Sequence, residues 1–201
     1  MRPDEIENVI AAVIPILLDE LEQYGVLLHC IQTSALLMKT LELLGIPDAY
    51  CLTVGVHAYN QAWVEFVDEH GWPNDDASRQ ACNDSGAAVS KVGKAAPAVE
   101  EGNWWGHLVV VVPSVVDGGN ILIDASIMQA NQPSFGIVFS PLLLRVTDDF
   151  VSGQKPATFE IDNMNVIYES HPDDRSFEIT PAWKSAEGLD QAAALVVDRL
   201  K

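Results

Sequence analysis

The chain has 201 residues, 48% of them hydrophobic, which is enough to bury the core of one domain of ordinary size. Its 29 acidic residues against 11 basic ones give a formal charge of −18, which excludes an extended basic footprint for nucleic acid and works against anionic membranes and polyanionic substrates. Three cysteines at positions 30, 51 and 82 form neither a C-x-x-C pair nor an even disulfide framework, so a reducing compartment, the cytoplasm, is expected.

Residues 4–24 read as a helix, with Ile6, Ile10, Val13 and Leu17 on one stripe and acids elsewhere. Pro15 is expected to kink or divide it. The apolar run from Val9 to Leu18 follows Asp4, Glu5 and Glu7, where a signal peptide carries positive charge, and falls short of the roughly 20 residues that span a bilayer. Cys30 then heads a second apolar helix in which Ile31, Ala35, Met38 and Leu41 form one row and Leu37, Leu41 and Leu44 another, with Gly45 and Pro47 closing it. A thiol in a first turn feels unpaired N–H groups and the positive end of the helix dipole, which favour thiolate. As a lone cysteine, Cys30 equally fits the role of a packed apolar residue.

After Pro47 the sequence predicts strands at about 49–57 and 61–68, linked through Tyr59, Asn60 and Gln61. Residues 73–102, rich in Ala, Gly, Ser, Asn and Asp, read as a loop insertion with one short helix near 76–82, either a lid or a disordered stretch. Two strongly apolar strands, 106–112 and 120–126, flank Asp117-Gly118-Gly119. Residues 131–144 read as irregular, 157–169 and 175–180 as strands turning at Pro172, Asp173 and Asp174, and 186–200 as a final amphipathic helix. The expected architecture is α+β, one domain over 1–201, with the Cys30 helix packed on an antiparallel sheet.

The two apolar strands bring chemistry with them. An antiparallel pairing that opposes His107 to Asp124 also opposes Val110 to Ile121 and Val112 to Gly119, and puts both side chains on one face, with Cβ atoms roughly 4.5–5.5 Å apart. A carboxylate there fixes the imidazole tautomer while the other ring nitrogen serves the cysteine. His29, His57, His70 and His171 compete for the role, His57 most strongly because it shares a strand with Cys51. Metal binding through Cys30, Cys51, His57 or Cys82 lacks paired ligand spacing, so no metal or cofactor is expected. Trp104 and Trp105 adjoin His107 and either wall a substrate site or pack as core aromatics.

The ordered combination, a cysteine followed by A-L-L-M and L-G-I-P, then G-H-L-V-V-V-V and I-L-I-D-A, resembles the transglutaminase-like branch of the papain-like cysteine enzymes over residues 25–128. The arylamine N-acetyltransferases share that core and are a more distant likeness. The resemblance implies Cys30 as nucleophile, His107 as general base and acid, and Asp124 as orienter, acting on a peptide, amide or acyl substrate. Leu27-Leu28-His29 stands where the acetyltransferases carry Arg-Gly-Gly, and Gln32 where they carry Glu, which speaks against acetyl-CoA. The rival expectation is a non-catalytic binding protein on the same fold, whose acidic surface engages a basic partner.

Overall fold

The computed structural model describes residues 3–23, 29–93, 99–100, 103–113, 119–184 and 189–201. Helices α1 (Pro3–Gln23) and α2 (Cys30–Leu43) lead into strand β1 (Tyr50–Tyr59), helices α3 (Gln61–His70) and α4 (Asp76–Asp84), and strand β2 (Val89–Val92). There follow β3 (Val99–Glu100), β4 (Asn103–Trp104), β5 (His107–Pro113), β6 (Gly119–Asp124) and β7 (Leu142–Thr147). The chain ends with α5 (Asp148–Val151), β8 (Ala157–Ile161), β9 (Met164–His171), α6 (Pro181–Lys184) and α7 (Leu189–Arg199).

This is a mixed α and β protein whose antiparallel sheet is nearly closed into a barrel. The sheet runs β7-β6-β5-β1-β9-β8, with β2 added on β1. Strands β5 and β6 are apolar on both faces because both are covered. Val110, Val112, Ile121 and Ile123 pack against α1, α2 and α7, while Val109, Val111 and Leu122 face a second cluster with Phe150 and Tyr168. Ser34 of α2 donates to the Leu108 carbonyl at 3.0 Å, fastening that helix to β5. At the far end of α2, Gly45 N–H bonds to the Glu42 carbonyl at 3.0 Å and Ile46 N–H to Leu41 at 2.9 Å, closing the last turn.

Strand β1 is the axis of the sheet. One edge pairs with β9 from Thr53 to Tyr59; the other pairs with β5 over Tyr50–Val54 and then with β2 over Val56–Tyr59. Strands β2 and β5 therefore lie end to end along one neighbour, and the break falls beside His107.

Several expectations are corrected. Helix α1 runs unbroken through Pro15, which is exposed, so the proline does not divide it. Residues 61–70 are helical, not a strand: Asn60 caps Trp63 N–H at 3.0 Å, and Ala62, Trp63, Phe66 and Val67 follow a helical spacing. The short helix expected near 76–82 is α4, capped reciprocally by Asp75 and Ser78, but the 73–102 segment also carries strand β2, so it is not simply a loop. The irregular stretch runs into β7, which pairs with β6 from Asp124↔Leu142 to Gly119↔Thr147. The strand drawn over 157–169 is a hairpin turning at Asp162 and Asn163, both at positive φ (48° and 65°), as a two-residue turn requires. Residues 176–179 form a 3-10 turn rather than a strand.

Candidate active site

Cys30 is the first residue of α2, and His29 before it has extended backbone (φ −95°) with no side-chain capping bond. The thiol therefore sits where backbone N–H groups lack helical partners. It is 8% exposed and packs with Ile31, Leu108 and Phe177. Burial pushes the thiol of Cys51 up to about 12, although Arg175 opposes this. Cys82 lies in a separate cluster with Phe66 and Ala87.

His107 begins β5 and Asp124 ends β6, and both are fully buried. The observed register pairs Val110 with Ile123 and Val112 with Ile121, so it is displaced by two residues from the expected one. His107 and Asp124 are consequently diagonal neighbours rather than directly opposed. A shift of two preserves the face on which each side chain lies, and the imidazole spans the extra distance. Its Nε2 meets Asp124 Oδ1 at 3.0 Å and Oδ2 at 2.9 Å. A carboxylate only accepts, so Nε2–H is the donor and the tautomer is fixed.

Asp124 is held in turn. Tyr168 O–H donates to Oδ2 at 2.9 Å and Ser126 N–H to Oδ1 at 3.2 Å. The second ring nitrogen of His107, Nδ1, is buried and makes no hydrogen bond of normal geometry. Burial alone would lower the His107 pKa; the charge and hydrogen bond of Asp124 outweigh it, and Cys30 adds a further pull in the same direction, so the ring is held protonated above its ordinary range. Tyr168 was absent from the sequence expectation. The signal was there: Met164, Val166 and Tyr168 alternate on one buried face, and a hydroxyl on such a face needs a partner.

Gly93 makes room for the histidine and Gly106 for the ring of Trp104. A Cβ on Gly93 would lie 2.5 Å from the Val54 carbonyl oxygen and 2.9 Å from His107 N, at φ +79°. A Cβ on Gly106 would lie 2.2 Å from the ring of Trp104. That ring is pinned by its own N–H, which donates to Ser176 Oγ at 3.0 Å, and by an edge contact with Phe177.

Cys30 opens into a cavity of about 460 Å3 lined by Gln32, Lys91, Trp104, Trp105 and Gln129 among others. Trp104 is half-buried and Trp105 exposed, so both tryptophans border the cysteine. His57, the competing histidine, points to Tyr59 O–H at 3.2 Å; burial and then Lys91 lower its pKa. Among the described residues no group of three or more His, Cys, Asp or Glu could hold a metal ion, and no helix is long and apolar enough to cross a membrane. Compared with protein-family models, with curated proteins and with solved structures, the chain matches none.

Proposed function

We propose that the protein is a cysteine-dependent acyl-transfer enzyme of the transglutaminase-like, papain-like kind, working through Cys30, His107 and Asp124 in the cytoplasm. The observation that carries the reading is the arrangement at His107: one ring nitrogen bound to a buried carboxylate, and a thiol at a helix start acting on the same ring. In this reading the Cys30 thiolate attacks the carbonyl carbon of an amide or thioester, forming a C–S bond as the carbonyl pair moves to oxygen. The Cys30 N–H, in the first turn of α2, donates to that oxyanion. The intermediate collapses as His107 protonates the leaving group, and the acyl-enzyme passes to water or an amine that gives its proton back to His107. Asp124, steadied by Tyr168, keeps the ring aligned throughout. Trp104 and Trp105 border the substrate.

The test is the pH dependence of iodoacetamide alkylation at Cys30, followed by peptide mass spectrometry in the wild type, His107→Ala and His107→Gln. Fast labelling well below pH 8 that both substitutions abolish is expected of a thiolate–imidazolium pair. Labelling that is slow, or indifferent to His107, sinks the proposal and favours a non-catalytic binding protein with an acidic surface.

A further inference from the structure

A second cavity, of about 660 Å3, adjoins the cysteine site and is walled by Tyr59, Trp63, Trp72 and Phe135. Tyr59, Trp63 and Trp72 touch one another at tilted or edge angles, with ring centroids 5.6–6.3 Å apart. Trp72 is 65% exposed and Phe135 49%, an unusual cost for apolar groups on a chain of this charge. The walls are also pre-set. Buried Asn60 accepts from Trp63 N–H at 3.0 Å and from Ala88 N–H at 2.9 Å, and donates to the Gly86 carbonyl at 2.9 Å and the Phe135 carbonyl at 3.0 Å. One side chain thus ties α3, the entry to β2 and the Phe135 turn into a fixed frame.

Strand β2 connects this cavity to Cys30. Val89 and Lys91 line the aromatic cavity, and Lys91, Val92 and Gly93 line the cysteine cavity. Among the described residues no strand pairs with the second edge of β2, and the 3-10 turn over Ile127–Ala130 packs beside that strand. Among the described residues neither cavity is lined by a carboxylate, and Lys91 is the charged group the two share.

We propose that the substrate is an extended peptide that runs from the cysteine cavity past β2 and places a large apolar side chain, aromatic for preference, in the Tyr59–Trp63–Trp72–Phe135 cavity. This rests on the proposed Cys30 nucleophile. From Val89 to Gly93 a strand advances about 14 Å at about 3.4 Å per residue, so the anchoring side chain stands about four residues from the reacting carbonyl. The aromatic cavity selects the peptide by that side chain. A preformed apolar pocket with a few polar groups at its rim suits a side chain of this kind.

The experiment is protection of Cys30 from iodoacetamide by a capped Gly/Ser peptide with a central Phe and four residues on either side, against its Phe→Ala analogue. The Phe peptide is expected to halve the labelling rate at a concentration at least about tenfold below that of the Ala peptide. In Trp72→Ala the preference for the Phe peptide should vanish. Equal protection by both peptides, or a preference that survives in Trp72→Ala, overturns the proposal. The unprotected rate and its dependence on His107 report separately on the nucleophile, because even a slow thiol can be shielded.

Discussion

Asp124 holds the Nε2–H of His107 between both its carboxylate oxygens, although the two residues are not opposed in the β5–β6 ladder. The contact is fully buried, so it links the protonation of one imidazole to the stability of the whole fold. An ordinary histidine loses its proton near 6.5, whereas His107 keeps it to about 10, so its contribution is complete below about 6.5 and is lost as the pH rises through the folded value. Urea midpoints measured at pH 6, 8 and 10 should therefore fall with rising pH in the wild type, and His107→Gln should remove that part of the slope. A wild-type midpoint that climbs over this interval, or an equal slope in the variant, contradicts the assignment.

Tyr168 supplies one of the hydrogen bonds to Asp124, and burial followed by the Asp124 charge keeps its hydroxyl protonated well past the ordinary tyrosine range. Tyr168→Phe should cost about 1.5–3 kcal/mol, as for a hydrogen bond to a charged group. It should also slow Cys30 alkylation less than His107→Ala does, since the ring would keep its carboxylate. Denaturation and labelling rates on the same preparation check both points, and a neutral effect on stability would refute the bond.

Gly93 and Gly136 separate strain from crowding. Both have positive φ, 79° and 71°, but a Cβ meets nothing within 4 Å at Gly136 and meets Val54 and His107 at Gly93. Alanine at 136 should cost about 1 kcal/mol, the left-handed penalty alone. At 93 it should cost well over about 2 kcal/mol and should also disturb Cys30 labelling, because backbone must move beside His107. Equal costs at the two sites would dismiss the close approach.

Asn60→Ala removes a helix cap and leaves the buried Ala88 N–H without its acceptor, for an expected loss of about 2–4 kcal/mol. Asn60→Asp keeps the acceptor oxygen but loses both donations, to Gly86 and Phe135, so it should fall between the wild type and alanine. Thermal unfolding of the three proteins ranks them. An aspartate variant no better than alanine would show that the acceptor contributes nothing.

The helices and strands nearest the cysteine were legible because their patterns are long and unambiguous. Ile10, Val13 and Leu17 are buried on α1 as their spacing requires, and His107–Pro113 and Gly119–Asp124 fall within a residue or two of the expected strands. The register was not legible. An uninterrupted run such as Val109–Val112, apolar on both faces, gives no alternation by which to count rungs, and the connection sets the offset. The His107–Asp124 juxtaposition tolerated the error because two residues is one full pleat. Gln61–His70 was misread because its aromatic and β-branched content suits a strand, whereas the Asn60 cap and the helical spacing decide otherwise. Tyr168 and Gly93 come from segments whose proximity to the site exists only through β1, and no local pattern reveals that.

That β1 pairs on one side with β5 and on the other with β9 also sets when the site can come into being. Thr53 pairs with His171, more than a hundred residues away in sequence, and this pairing carries β9 to where Tyr168 donates to Asp124. Contacts of such long sequence separation form late. A chain still emerging from synthesis thus carries Cys30 and His107 well before Tyr168 is present to brace Asp124.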